Sequence, residues 1–235
     1  MNGSRPRRPG TAVLLAAALL AGGGLARAEA PPSPAPGATR GEPHVSPSRW
    51  LSLGLLSGTA KPDGALADYQ WDTTPGAAWG AQALAGTGPW ATGLRLWTAQ
   101  TVQAIGSNAP AASVRRTSWE WVGQARIASW WGNEWSAGAS AGRMHLSYRP
   151  DRVTIDTGSG TPIEAQLRPI DAWVWGGSAA LRRSLGSRWT LGLEVDRRAF
   201  SMEAAHRNGA TIEVARESFD DWSAHLELSR LFGRR

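Results

Sequence analysis

Hydrophobic and polar residues alternate one by one over most of the chain beyond residue 48. They form eight segments, roughly 49–57, 77–85, 90–104, 114–129, 135–149, 166–184, 188–204 and 216–232. Side chains of a strand point to its two faces in turn, so a period of two predicts strands with one apolar and one polar face. The seventh segment is the clearest: Trp189, Leu191, Leu193 and Val195 alternate with Thr190, Gly192, Glu194 and Asp196. The fourth sets Trp119, Trp121, Ala125 and Ile127 against Glu120, Gln124, Arg126 and Ala128. The eighth sets Trp222, Ala224, Leu226 and Leu228 against Ser223, His225, Glu227 and Ser229. The fifth is predicted to change face near Gly142, as a bulge allows.

The connections alternate in length. Gly86-Thr87-Gly88-Pro89, Trp131-Gly132-Asn133-Glu134 and Leu185-Gly186-Ser187 read as tight turns, whereas 58–76, 105–113, 150–165 and 205–215 are longer. Short turns on one side and long loops on the other are the habit of outer-membrane barrels. Within the long connections, Arg152–Asp156 and Thr161–Glu164 flank Gly158-Ser159-Gly160, and Asn208-Gly209 lies between Phe200–His206 and Thr211–Val214. Both are hairpin signals, so the outer loops are predicted to stand above the barrel as paired strands. Pro169 is the one proline placed inside a predicted strand, near the outer rim of the sixth, where a lost ladder bond is tolerated.

Tryptophan sharpens this picture. The chain has 14 of them. Trp50, Trp90, Trp130, Trp131, Trp135 and Trp189 stand at the foot of alternating segments, and Trp119, Trp121, Trp173, Trp175 and Trp222 about ten positions up such segments. About 9–11 tilted residues cross a bilayer core, and indole favours its two interfaces, so two aromatic girdles about 25 Å apart are expected. Trp71 falls in a loop, Trp79 slightly low for the upper girdle, and Trp97 on the inner face.

The opposite face carries Arg95, Glu120, Arg126, Arg143, Arg182, Glu194, Asp196, Arg198, His225 and Glu227. A lipid-facing arginine or lysine costs about 2–4 kcal/mol at mid-membrane, so alternation assigns these charges to the lumen. An eight-stranded barrel is just wide enough for its own side chains, which makes a polar plug the simpler reading and a conducting path the rarer one.

Composition adds boundaries. Arg5, Arg7 and Arg8, an apolar run from Thr11 to Leu25, and Ala26-Arg27-Ala28 predict a signal peptide over 1–28. That segment holds four arginines and no acid, which lowers the net charge from +6 to +2 for the remainder and leaves no case for nucleic acid. Pro31, Pro32, Pro34, Pro36, Pro43 and Pro47 predict an extended periplasmic linker over 29–48, and 49–235 forms the barrel domain. Beyond residue 48 no helix-period apolar segment and no run of about 18 apolar residues occurs, which excludes the helical membrane class for that domain. The expectation is therefore an all-β, eight-stranded antiparallel transmembrane barrel with short periplasmic turns and protruding extracellular hairpins.

Two constellations bear on chemistry. His145-Leu146-Ser147 puts a base and a nucleophile two apart on one face of a strand. It resembles the H-x-S strand motif of the outer-membrane phospholipase and lipid A deacylase barrels, which continue with Asn and aim the pair at lipid. Here Tyr148 follows, and the face shared with Arg143 and Arg149 predicts that His145 points inward or lies above the membrane. Asp220-Asp221 and His225 offer an Asp and a His four apart on one face, but without a third ligand the sequence assigns no metal and no cofactor.

The whole of residues 49–232 resembles the small eight-stranded outer-membrane barrels of the OmpA and OmpX type, in strand count, girdles and tight inner turns. The resemblance implies a monomer in outer-membrane lipid, inserted by machinery that reads a terminal aromatic residue. Phe232 fits that position, with Arg230 and the trailing Gly233-Arg234-Arg235 as departures. The function expected is non-enzymatic: an envelope-integrity role, or binding of an extracellular protein or glycan through the outer hairpins. A lipid-modifying hydrolase or a narrow pore is the alternative.

Overall fold

The computed structural model describes residues 49–105, 111–155, 162–208 and 211–233, and of 206–208 and 211–213 only the backbone. The expected signal peptide 1–28, the linker 29–48, the Gly158-Ser159-Gly160 tip and Gly209 lie outside the described residues.

Eight long strands close on themselves. They are β1 (Arg49–Lys61), β2 (Gly76–Thr87), β3 (Trp90–Gln103), β4 (Ala112–Trp130), β5 (Asn133–Arg149), β8 (Ile170–Leu185), β9 (Trp189–Asn208) and β10 (Thr211–Gly233). A separate hairpin, β6 (Arg152–Ile155) with β7 (Ile163–Gln166), rises between β5 and β8. The ring runs β1-β10-β9-β8-β5-β4-β3-β2 and returns to β1, every pairing antiparallel. Closure leaves no unpaired edge around the wall, which is what a strand protein in an apolar solvent requires.

The short turns follow from glycine chemistry. Trp130 pairs with Asn133 across Trp131 and Gly132, whose φ angles of 51° and 74° are those of a primed two-residue turn. Gly88 and Gly186, with φ of 57° and 77°, serve the other two turns.

On the outward face of β10, Trp222, Ala224, Leu226 and Leu228 form an uncharged run between Asp220 and Arg230. Ten steps of about 3.3 Å at a tilt of about 40° make a band roughly 25 Å tall. The same band continues as Leu51, Leu53 and Leu55 on β1, Leu94 and Leu96 on β3, and Leu191, Leu193 and Val195 on β9, all exposed.

The interior is layered. Trp50, Leu84 and Val122 fill the short-turn end. Ionised side chains and Trp97 fill the middle. Above them lies an apolar core of Val114, Met144, Leu146, Ala172, Val174, Phe200, Met202, Ala204 and Phe219, into which Leu66 and Trp71 descend from the β1–β2 connection.

That upper core explains a correction. The fifth strand does not change face at Gly142: its inward side runs continuously through Gly142, Met144 and Leu146, and its outward side through Ala141, Arg143 and His145. What changes is the surroundings, since the lumen turns apolar where the outer wall turns polar. Alternation inverts without any bulge. The bulge on this hairpin lies lower, between Arg126 and Ala128 of β4. A second correction concerns Pro169, which stands between Gln166 and Ile170, outside both strands, where its missing N–H costs no ladder bond.

Candidate functional site

Two places gather chemistry: the lumen, and the outward face at the top of β4, β5 and β8. In the lumen the short reach across an eight-strand ring lets side chains meet from opposite walls. Arg95 of β3 bonds Glu194 of β9, and Arg116 of β4 bonds Asp221 of β10; in each case the two strands stand four apart in the ring of eight. Arg182 then ties Glu194 at 3.1 Å to Glu227 at 2.7 Å, while Arg198 holds Glu120 at 3.0 Å and Asp196 at 2.5 Å. The Arg198 guanidinium also lies 4.3 Å from the centroid of Trp97, a desolvated cation–π contact.

Four buried arginines thus face five buried carboxylates. Mixed signs in mutual contact are a cross-brace rather than the single-sign ring that selects ions. The expected lumen residues Arg95, Glu120, Arg182, Glu194, Asp196, Arg198, His225 and Glu227 are brought together here, and all are buried. Arg116 and Asp221 belong with them. Alternation around Trp119 and Trp222 places both on the inner face, so the signal was present in the sequence.

Arg126 is a correction. The pairing of β4 with β3 ends at Ala125, so Arg126 lies past the wall and, 39% exposed, meets Glu134 at 3.6 Å at the mouth. Arg143 is another: it points outward, its guanidinium 4.9 Å from the centroid of Trp173.

Glu194, Asp196 and His225 present donor atoms within 4.8 Å of one another. Both carboxylates are already held by arginines, and His225 Nδ1 stands 3.4 Å from Asp196. The set is part of the cross-brace, and no metal is inferred from it. Asp220, by contrast, faces outward and pairs with Arg197, apart from Asp221 and His225.

Above the brace, a short 3₁₀ helix, Gly64–Tyr69, closes the long-loop end. Asp63 caps its start by accepting from Ala65 N at 2.9 Å and also accepts from Asp220 N at 2.9 Å. Tyr69 donates its hydroxyl to Glu217 at 2.6 Å, and burial together with that carboxylate pushes the phenol well above its ordinary range. Asp72 accepts from Thr74 N at 2.9 Å, which holds its carboxyl below the usual value. Sequence patterning gave no hint of this cap, because a single turn carries no period.

Of the tryptophans expected to face lipid, Trp90, Trp119, Trp121, Trp130, Trp131, Trp135, Trp173, Trp175, Trp189 and Trp222 are exposed on the outer wall. Trp50 is not. It shares the inner face of β1 with Ser52 and Gly54 and lies against Gly86, where a Cβ would come within 2.3 Å of the indole. Leu51, Leu53 and Leu55 take the outer face instead. Trp97 is buried, as its face predicts.

The second place is the outward face. His145 and Ser147 both point away from the barrel, and His145 Nδ1 lies 2.9 Å from Asp171 Oδ1 on the neighbouring strand. An inward His145 is therefore corrected. Among the described residues Ser147 makes no hydrogen bond to His145.

No family model matches the chain, and no curated protein matches it. Several solved structures share its architecture. The chain is similar to Neisserial surface protein A, at 7% identity and a TM-score of 0.46, over 77% of this chain and 96% of that one. It is similar to Ail, the attachment invasion locus protein of Yersinia pestis, solved with the heparin analogue sucrose octasulfate, at 12% identity and a TM-score of 0.40, over 80% and 100% of the two chains. The N-terminal β-barrel domain of Pseudomonas aeruginosa OprF follows at 12% identity and a TM-score of 0.33, over 77% and 97%. Small outer-membrane barrels are thus the structures this fold resembles.

Proposed function

We propose that this protein spans the bacterial outer membrane as a closed, non-conducting barrel and offers its outer hairpins to an extracellular protein or glycan. The observation that carries the reading is the cross-braced lumen: Arg95–Glu194 and Arg116–Asp221 join opposite walls, and the Gly64–Tyr69 cap stands above them. The uncharged outer band supports the membrane part, since soluble proteins rarely expose so continuous an apolar surface. Its flanking tryptophans then serve as the two girdles, with Trp50 left out.

The hairpins supply the surface. Among the described residues, pairing of β9 with β8 ends at Phe200 and leaves Ser201–Asn208 without a ladder partner on that side. Exposed Val214 and Ile163 give the hairpins an apolar, strand-prone character suited to pairing with a foreign strand. Planar bilayers and a trimmed variant test the reading together. Protein from the outer-membrane fraction is expected to show heat-modifiable mobility and no discrete conductance. Removal of 152–164 and 207–212 is expected to abolish surface binding while envelope integrity persists. A soluble periplasmic protein, or unitary channel openings, would refute it.

A second reading is favoured by one contact. Asp171 on His145 Nδ1 orients the imidazole as a hydrolytic base requires, with Ser147 on the same outward face. A lipid-ester hydrolase of the outer leaflet would use these three. Ser147→Ala decides it: unaltered phospholipid and lipid A turnover ends the idea.

A further inference from the structure

The outward charges above the upper tryptophans are unevenly spread. At this height on β9 and β10 the described outward arginines stand beside carboxylates: Arg197 is paired with Asp220 and lies 5.6 Å from the centroid of Trp222, and Arg216 lies opposite Glu203 in the strand register. There β1 carries the single cation Lys61, opposite Trp222. On β2 and β3 the outward residues at that height, Trp79, Thr98 and Gln100, carry no charge. On β4 and β5, Arg115, Arg143 and Arg149 all face outward, and among the described residues no carboxylate pairs with any of them.

Their register makes them a single patch. Arg143 stands directly between Trp119 and Trp173 on adjoining strands. Arg115 is opposite Ser147, and Arg149 is opposite Ser113. Measured along strands tilted by about 40°, Arg115 lies about 10 Å above the tryptophan level and Arg149 about 15 Å above it. Arg143 thus sits at the boundary of the uncharged band and the other two in the layer above it. Lipid headgroups occupy that layer. Guanidinium is the group best shaped to take phosphate oxygens in pairs. An apolar band below and three uncompensated arginines above suit a molecule with acyl chains and a phosphorylated head.

We infer that Arg115, Arg143 and Arg149 form a binding site for the phosphates of an anionic glycolipid in the outer leaflet. The site fixes that lipid to one side of the barrel, along β4 and β5. Trp173 stacks on Arg143, its ring centroid 4.9 Å from the guanidinium, and with Trp119, the residue opposite Arg143 on β4, borders the upper acyl chains. The inference rests on the membrane reading above, which supplies the lipid.

The test uses the full barrel folded into phosphatidylcholine bilayers containing diphosphoryl lipid A, or lipid A stripped of its phosphates. Heat-modifiable mobility is scored first, and failure of the unaltered barrel to insert would overturn the membrane reading itself. Retention of lipid A through detergent gel filtration is then measured. Wild type is expected to retain the diphosphoryl form and release the stripped form. Charge near a membrane surface contributes about 1 kcal/mol per basic residue, so Arg115→Gln/Arg143→Gln/Arg149→Gln is expected to bind about a hundredfold more weakly. Arg49→Gln/Arg183→Gln/Arg230→Gln removes the same charge from the opposite rim and is expected to change nothing. Should the first triple variant fail to fold, its three single variants replace it, each expected to lose about fivefold. Equal retention by the two triple variants, or equal retention of stripped lipid A, would overturn the inference in a barrel that inserts. Displacement by millimolar inorganic phosphate would likewise overturn it, by showing a site for the free ion rather than the lipid.

Discussion

Arg95 and Glu194 reach each other across the full width of the barrel, from strands that stand opposite in the ring of eight. Glu194 also takes Arg182, so one deeply buried carboxylate holds two guanidinium groups. Glu194→Ala leaves both cations with less than they need, and stranding a buried charge costs about 3–5 kcal/mol. The expected result is a lower urea midpoint for unfolding from vesicles, followed by tryptophan emission. Arg95→Met/Glu194→Met removes both signs together and is expected to cost less than the two single changes added. Additive losses would mean that the pair does not act as a unit.

The cap over the lumen responds to alkali. Tyr69 has its pKa raised by burial and by the carboxylate of Glu217, so the folded state prefers the neutral phenol. A group raised in the folded state contributes stability that is complete below its unfolded value near pH 10 and is lost as pH rises through the folded value. The chain has two tyrosines, which makes absorbance at 295 nm a clean probe. Tyr69 is expected to ionise only well above pH 10 while the barrel is folded. A phenol that titrates near 10 in the wild type and vanishes in Tyr69→Phe would contradict the contact with Glu217.

Trp50 and Gly86 form the plug at the other end. A Cβ on Gly86 would meet the indole at 2.2 Å, well inside any real contact. Gly86→Ala is expected to destabilise by about 1–3 kcal/mol, the usual cost of overpacking. Trp50→Leu in the same chain makes room on the indole side and is expected to restore part of the loss, read as the unfolding midpoint, since the Trp90 carbonyl oxygen, 2.7 Å from the added Cβ, stays in place. If Gly86→Ala alone were harmless, the indole would have to lie elsewhere, on the outer face.

These positions show where the sequence is readable and where it is not. On β9 the pattern of Trp189, Leu191, Leu193 and Val195 against Glu194 and Asp196 has one solution, because only one face tolerates charge in lipid. At Trp50 that logic has no purchase: Arg49, Trp50 and Leu51 run together, and the phase is set further along by Leu53 and Leu55. On β5 the residues from Ser136 to Gly142 are small on both faces, so they carry no phase into the strand's upper half. There Met144 and Leu146 look lipid-facing, yet they pack beneath Leu66 and Trp71. Hydrophobic alternation reports the solvent on each side, and it misleads where both solvents change at once. The candidate site suffered most from this, since the outward direction of Arg143, His145 and Ser147 depends on that phase. Asp171, their neighbour through strand pairing, lies 26 residues from His145 and carries no sequence signal of its own.

The tryptophans themselves can be made to report depth. Eleven are exposed on the outer wall or its lower turn, and Trp50, Trp71 and Trp97 are buried. In bilayers whose acyl chains carry bromine at a chosen carbon, quenching falls off with distance from that carbon. Outward indoles at the two rims of a band roughly 25 Å tall predict strong quenching by bromine near the headgroups and weak quenching by bromine at the bilayer centre. Trp119→Phe/Trp173→Phe takes two indoles from the upper rim and is expected to reduce the quenched fraction. Trp50→Phe takes one from the lumen and is expected to leave it unchanged. Greatest quenching from the bilayer centre would set the rings at the wrong height. A loss of quenching in Trp50→Phe would put that residue back on the lipid side, against its contact with Gly86.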